Sequence, residues 1–208
     1  MNISFLGFGE LGKQVELLLN SSNYDYPRFY FDDKLSRTSN NHFYFNEYIN
    51  HINNSLWLLC VGYKHMSLRL KLITEISNAS GKLLNLVHPT AYVSPLANVS
   101  SGSLIYPMCN LDKEVFLGKG VLINNSVTIS HNCEIQDGSY ISPGVTISGN
   151  VKIGQASFVG SGTVISNDIV IGNHVHIGIG TVITQDVPDD AWVIGNPQKI
   201  LNKPFKLN

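Results

Sequence analysis

Every sixth residue from Val93 to Ile183 is Val, Ile or Leu, sixteen positions without a break. The column runs Val93, Val99, Ile105, Leu111, Leu117, Ile123, Ile129, Ile135, Ile141, Ile147, Ile153, Val159, Ile165, Ile171, Ile177, Ile183. Two residues before each stands a small or β-branched residue, among them Ala91, Ser103, Cys109, Val127, Cys133, Ser139 and Thr163. Positions i and i−2 of a strand share a face, so each hexad sends one large and one small side chain inward. Gly, Asn, Ser, Asp and Pro crowd the positions after each large residue, as a corner requires. Short strands with a corner every six residues wind into a parallel β-helix. Three strands per coil make an 18-residue turn. Sixteen such steps give about five coils, stacked at roughly 4.8 Å each. No coil buries its inner face alone, so the array has to be long and capped. The period does not set the hand of the coil.

The first 86 residues follow another rule. Ile3–Leu6 reads as a strand, followed by Gly7-Phe8-Gly9-Glu10-Leu11-Gly12-Lys13 and then by an apolar-periodic helix carrying Val15, Leu17, Leu18 and Leu19. Strand, G-x-G-x-x-G, helix is the turn in which backbone amides and a helix N-terminus receive phosphate. A second strand, Phe29–Phe31, ends in Asp32-Asp33; a third spans Leu56–Val61 and ends at Gly62. Met66–Ile76 reads as a helix and Leu83–Leu86 as a short strand. The class is α/β, with a parallel sheet in a Rossmann-like domain over residues 1–86 and the β-helix with its tail over 87–208. The glycine motif alone also fits a helix packed closely on a strand with no ligand. Two features favour a ligand. An acidic pair closes the second strand, where such folds contact a ribose or base. The unit is also about half the size of a full dinucleotide fold, which favours a nucleotide or nucleotide-sugar over NAD.

Composition narrows the function classes. Charged residues are 14% of the chain, against about 25% in ordinary soluble domains. The net charge of −1 gives no reason to expect a nucleic-acid partner. The apolar run Leu56–Gly62 is too short to span a membrane, and no signal peptide is visible. Cys60, Cys109 and Cys133 show neither disulfide nor metal spacing. A cytoplasmic protein with reduced thiols is expected.

Among the seven histidines, His42 and His51 lie in an Asn-rich polar stretch that reads as solvated surface. His65 follows the third strand, near the ligand cleft. His88-Pro89 reads as a turn at the domain junction. His174 and His176 fall at outward phases late in the repeat. His131 is different, sitting at a corner two residues past Ile129. Eighteen residues on, one coil above, is Gly149. The stack sets an imidazole beside a backbone amide that no side chain covers, a general base beside a possible oxyanion donor. An ordinary corner histidine fits the same spacing. In line with His131, positions 113, 149 and 167 are Lys, Gly and Asn, a column that cannot make a zinc site.

The chain resembles, nearly end to end, the bacterial sugar acetyltransferases that join a short Rossmann-like domain to a left-handed β-helix. These include sialic-acid O-acetyltransferases and N-acetyltransferases of nucleotide-linked 4-amino sugars. The resemblance rests on Gly7–Lys13, Phe31-Asp32-Asp33, Val61-Gly62 with Arg69, His88-Pro89-Thr90-Ala91 and Ile123-Asn124. It continues through His131-x-Cys133, Ile141-Ser142-Pro143-Gly144, Gly149–Gly154 and Gly195-Asn196-Pro197-x-Lys199. It implies a left-handed coil, a homotrimer with sites between neighbouring β-helices, and acetyl-CoA as cosubstrate without a metal. By the same resemblance, His131 is the catalytic base, Asn132 its partner and Gly149 the amide that meets the thioester oxygen. Gly9, Glu10, Leu11, Asp32, Asp33, Gly62 and Asn124 match positions that hold the nucleotide-sugar. Tyr140, Gly149, Ser161, Ile179, Pro197 and Lys199 match positions beside acetyl-CoA.

Three departures carry chemical weight. The family's carboxylate after the catalytic histidine is Asn132, a histidine near the sugar phosphates is Leu11, and a second one near the cofactor is Tyr140. A carboxylate stabilises an imidazolium and an amide does not. An amine nucleophile tolerates that loss better than a hydroxyl, because it attacks while still carrying its proton. The expectation is therefore N-acetylation of a dTDP- or UDP-linked 4-amino-4,6-dideoxy sugar. The alternatives are O-acetylation of a sialic-acid-like sugar and a non-catalytic trimeric scaffold that binds nucleotide-sugar.

Overall fold

The computed structural model describes residues 2–22, 24–35, 39–201 and 204. The chain opens with β1 (Asn2–Leu6), α1 (Glu10–Asn20), β2 (Arg28–Phe31) and β3 (His42–Phe43). A 3-10 segment, Phe45–Asn54, leads to β4 (Ser55–Leu59), α2 (Met66–Asn78) and β5 (Lys82–Leu83). The five strands form one parallel sheet in the order β3-β2-β1-β4-β5. Ile3, Phe5, Leu58 and Leu59 are sealed in it, the near-continuous apolar reading expected of strands covered on both sides. Gly7 adopts φ +90, and a Cβ on Gly12 would stand 2.8 Å from the Gly7 carbonyl oxygen. These two glycines let α1 start tight against the end of β1.

The Asn-rich stretch is not loose surface. His42 lies in β3, with its ring 5.5 Å from Tyr30, and His51 packs 4.8 Å from Phe43 and 5.3 Å from Phe31. Tyr48 and Ile52, four apart, turn one face of the 3-10 segment into the core. The asparagines around them hid that periodicity.

From Leu86 onward the chain is a parallel β-helix with three faces. The first face stacks Leu86–Val87, Leu104–Ile105, Leu122–Ile123, Tyr140–Ile141, Phe158–Val159, His176–Ile177 and Trp192–Ile194. The second runs from Tyr92–Val93 to Val182–Ile183, and the third from Asn98–Val99 to Val170–Ile171. Neighbouring rungs pair in register eighteen residues apart, Ile123 with Ile141 and Ile129 with Ile147. Ile105, Ile123, Ile129, Ile141 and Ile147 are fully buried. Cys109 and Cys133 sit in the small-residue column, buried and free. Corners share one geometry, with the third residue past the large one left-handed, as at Met108, Ser126, Asn132, Asn150 and Asp168.

Both ends depart from the expected limits. The strand expected at Leu83–Leu86 is two pieces: Lys82–Leu83 closes the front sheet, and Leu86–Val87 is already the first rung of the coil. At the far end the turn shortens by two residues. Ile171 meets Val187 and Ile177 pairs with Val193, sixteen apart, so the coil continues past Ile183.

The front sheet lies on the first face. Tyr63 stacks 4.9 Å from Phe158 and edges against Tyr140 at 5.7 Å. A Cβ on Gly120 would stand 2.5 Å from Ile73, and one on Gly102 would stand 2.9 Å from Leu83, so bare corners admit α2 and β5. Arg69 is fully buried. Its guanidinium donates to the carbonyls of Val61 and Gly120 at 2.6 Å each, and at longer range to Leu59 and Gly138. One side chain thereby ties the end of β4 to two stacked corners of the coil. These contacts flank the first face. The corner between the second and third faces, where His131 sits, is the far vertex of the triangle.

Candidate active site

At that far vertex the corner after Thr128–Ile129 presents His131 to solvent. Its Nδ1–H donates to Asn132 Oδ1 at 3.0 Å. This tautomer leaves Nε2 as the proton acceptor. Asn132 holds φ +59, a conformation its short polar side chain tolerates. The imidazole lies flat over Gly149: a Cβ there would stand 2.6 Å from His131 Cε1 and 2.8 Å from Nε2. Glycine is what lets the ring rest against the backbone one coil above.

The Gly149 amide is not the bare donor expected from the spacing. Gly149 is buried, and its N–H donates to Asn167 Oδ1 at 2.9 Å. The eighteen-residue step that leads from His131 to Gly149 leads next to Asn167, which the column alone marks only as a missing metal ligand. Among the described residues, no group of three or more His, Cys, Asp or Glu side chains could hold a metal ion.

The residues matched to nucleotide-sugar binding divide into three places. Gly9, Glu10, Leu11 and Gly62 line one cleft of about 230 Å³ together with Cys60, Tyr63, Lys64 and His65. Gly9 caps α1 without a side-chain hydrogen bond, so the first-turn amides face the cleft mouth with the positive end of the helix dipole. The acidic pair is not in that lining. Asp32 accepts from the amides of Phe8 and Lys34, at 2.7 and 2.8 Å, and Asp33 accepts from the Phe45 amide at 2.9 Å. These carboxylates brace the loops around the cleft. The position after the second strand signalled ligand contact, but loop amides there compete for the same oxygens.

Asn124 is elsewhere again. It is 8% exposed, donates from Nδ2 to the Tyr140 hydroxyl at 3.2 Å and accepts from the Asn125 amide. With Gln14, Leu17, His88 and Pro143 it lines a second cleft, about 470 Å³, between α1 and the corner joining the first and second faces. Tyr140, matched to the acetyl-CoA side, is buried beneath Tyr63 with its hydroxyl held by Asn124. Burial, with the Asn124 bond opposing it, pushes its hydroxyl above the ordinary value of 10. It anchors the junction. Its outward phase was legible from the repeat; the front sheet covering that face was not.

Ser161 and Ile179 stand exposed at the corner joining the first and second faces, Ile179 by 79%. Gly144, Gly162 and Gly180, left-handed and with open space at the Cβ, pave that edge. Pro197 and Lys199 are exposed in the tail, where Lys199 begins a strand antiparallel to Trp192–Ile194. One chain therefore keeps the His131–Gly149 pair at one vertex and Ser161, Ile179 and the Asn124 cleft at another. The glycine-loop cleft lies with the front sheet, and Tyr63 in its lining packs on Tyr140, whose hydroxyl Asn124 holds.

Comparison with known proteins agrees with this architecture. Residues 86–187 match the family described as GMPPB C-terminal domain. The acetyltransferase domain of PglB from Neisseria gonorrhoeae FA1090 aligns over 96% of this chain and 99% of its own, with TM-score 0.87 and 28% identity. That domain has also been solved with acetyl coenzyme A. WeeI from Acinetobacter baumannii AYE aligns over 97% of this chain and 100% of its own, with TM-score 0.84 and 25% identity. PerB from Caulobacter crescentus, solved with CoA and GDP-perosamine, shares the fold over 97% of this chain and 98% of its own, with TM-score 0.87 and 22% identity. Among the described residues, no helix is long and apolar enough to cross a membrane.

Proposed function

We propose that this chain, an acyltransferase with the architecture of the sugar acetyltransferases, moves the acetyl group of acetyl-CoA to the 4-amine of a dTDP- or UDP-linked 4-amino-4,6-dideoxy sugar. The observation that carries this reading is the imidazole of His131, its Nδ1–H fixed on Asn132, resting against the uncovered Cα of Gly149. The front domain, residues 1–86, is taken as Rossmann-like and the coil, residues 87–208, as left-handed. The nucleotide phosphates seat on the α1 N-terminus at Gly9, Glu10 and Leu11, opposite Gly62. Ser161, Ile179, Pro197 and Lys199 border acetyl-CoA.

The amine attacks the thioester carbonyl as the C–N bond forms. Charge builds on the carbonyl oxygen, which the Gly149 amide receives. His131 Nε2 takes the proton that the amine sheds. The C–S bond then breaks, and the proton passes from His131 to the departing CoA sulfur.

That His131 and the Ser161–Ile179 edge stand at different vertices of one chain supports an oligomer as the functional unit, here taken as a homotrimer. The base of one chain serves the nucleotide-sugar held by its neighbour. This is tested by mixing two inactive variants. His131→Ala removes the base. Gly9→Asp supplies a favoured helix cap at a position with open space around its Cβ and sets a negative charge where phosphate would bind. Random assembly of equal amounts restores about a quarter of wild-type activity if neighbours share a site. Activity near zero in the mixture would place both halves on one chain and refute the shared site. His131→Ala alone lowers kcat by about 10²- to 10⁴-fold; a loss under about threefold removes it from the base role.

A further inference from the structure

We propose that Asn167 is a displaceable plug in the oxyanion site, a positioning residue whose carboxamide holds the Gly149 amide until the acetyl carbonyl takes its place. The inference rests on the proposed acyl-transfer chemistry and adds a residue to it. The Gly149 N–H donates to Asn167 Oδ1 at 2.9 Å. That oxygen therefore occupies the acceptor position of the backbone amide of Gly149, the residue against which the His131 ring rests. The Gly149 carbonyl is engaged separately, accepting from the Asp168 amide at 3.0 Å in the ladder between coils. Its N–H thus depends on a side chain rather than on the β-helix itself.

The same device recurs at a different vertex. Asp137 Oδ1 caps the Lys119 amide, Asn173 Oδ1 caps the Gln155 amide, and Asp189 Oδ1 caps the Asn173 amide. A corner carboxamide or carboxylate capping an amide one coil away is thus an ordinary building element of this coil. What differs at Gly149 is its neighbour. Here the capped residue lies against an imidazole with an acceptor nitrogen, and the cap, like Asp189, is an exposed side chain. An exposed carboxamide can rotate into solvent and hydrate. A buried amide left alone costs more than one held, so the plug keeps the donor satisfied and aimed when acetyl-CoA is absent. When the thioester enters, its carbonyl oxygen replaces the Asn167 oxygen, and one neutral hydrogen bond is exchanged for another. The donor stays preorganised throughout. Asn is suited to this where Asp is not, because a carboxylate would hold the amide by a stronger, charge-assisted bond and repel the developing oxyanion.

The test compares acetyl-CoA with CoA, which has no acyl carbonyl, by calorimetry on the full-length wild-type chain and on Asn167→Ala, Asn167→Ser and Asn167→Asp. Asn167→Ala and Asn167→Ser tighten acetyl-CoA by about 2- to 10-fold, the worth of one exchanged hydrogen bond. Asn167→Asp weakens it by at least as much and lowers kcat. CoA affinity stays within about twofold in all three, a flag for the acyl carbonyl that a merely structural role would not give. Unchanged or weaker acetyl-CoA binding in both Ala and Ser variants overturns the plug. Equal shifts for acetyl-CoA and CoA also overturn it, since the effect would then lie in the shape of the groove. A wild-type chain that binds neither ligand fails at the acyltransferase reading itself, a different result from either of these.

Discussion

Gly149→Ala isolates the contact on which the site depends. The backbone of Gly149 is outside the left-handed region, so alanine suits its conformation. The nearest atoms to the added methyl all belong to His131, with Cε1, Nε2 and Nδ1 at 2.6, 2.8 and 3.2 Å. Distances under about 3 Å cannot persist, and the ring is an exposed side chain, so the imidazole swings outward while the coil stays in place. The fold then loses one exposed His131–Asn132 hydrogen bond, worth about 0.5–1.5 kcal/mol. It regains about 0.4–1 kcal/mol, because alanine restricts the unfolded chain more than glycine does. The two nearly cancel, leaving a net change within about 1 kcal/mol and a Tm shift within about 2–4 °C for a chain of this size. Catalysis does not share that compensation. A displaced base forfeits about 10²- to 10⁴-fold in kcat. The assay is steady-state thiol release beside a thermal melt. A variant that melts with the wild type and keeps kcat within threefold refutes the claim that the ring must lie over Gly149. One that melts more than about 10 °C lower shows that the methyl strains the coil itself.

Three further perturbations reach other parts of the molecule. Arg69→Met strips the carbonyls of Val61 and Gly120 of buried charge-assisted bonds. It lowers stability by about 2–4 kcal/mol after relief of guanidinium desolvation, read as a Tm drop of roughly 4–16 °C; a change under 2 °C means the guanidinium is not the tie between sheet and coil. Burial, and secondarily His174, hold His176 below the ordinary value of 6.5, so the unfolded chain binds its proton first. The stability gained from keeping it neutral is full above that value and fades as pH falls through the folded one. Melts from pH 7.5 to 5 should show a shallower acid slope for His176→Phe than for wild type, and parallel slopes would refute this. Asn132→Asp supplies the charge that the amide lacks and should raise turnover of hydroxyl acceptors more than of amines, measured as the ratio of the two kcat/KM values; an unchanged ratio breaks the link between Asn132 and acceptor chemistry.

The repeat made most of the coil readable because its constraint is local. One large residue every sixth position must face inward, so Val93 to Ile183 could be placed without any long-range contact. The same arithmetic stacked His131 under Gly149. It failed where side chains, not the period, decide. Nothing in a six-residue rhythm says that Asn167 turns its oxygen onto Gly149, or that Asp32 and Asp33 spend theirs on loop amides. The two-residue shortening that brings Val187 against Ile171 is likewise invisible, since the strict period ends at Ile183. Tyr140 is the clearest instance. The repeat gives its phase as outward, and outward means solvent only if nothing covers that face. Tyr63, from a short 3-10 turn seventy-seven residues earlier in the sequence, covers it. Such contacts between elements distant in sequence are set by packing, which no pattern along one segment records.

Asn132 ties the geometry to the choice of acceptor. Its carboxamide oxygen does what a carboxylate would do for orientation: it accepts from Nδ1–H and leaves Nε2 pointed away as the acceptor. It does not supply negative charge, so the imidazolium formed on proton uptake gains less stabilisation than beside a carboxylate. For a hydroxyl acceptor that loss is felt at the moment of attack, because the oxygen is a poor nucleophile until its proton begins to leave. For an amine the lone pair attacks first and the proton becomes acidic afterwards, once positive charge sits on nitrogen. In the proposed reaction His131 then receives a proton from a strong acid, a step that needs correct placement more than high basicity. On the proposed mechanism, a corner that preserves the placement and omits the charge suits nitrogen, and the same corner facing a hydroxyl would carry its deficit into the attack itself.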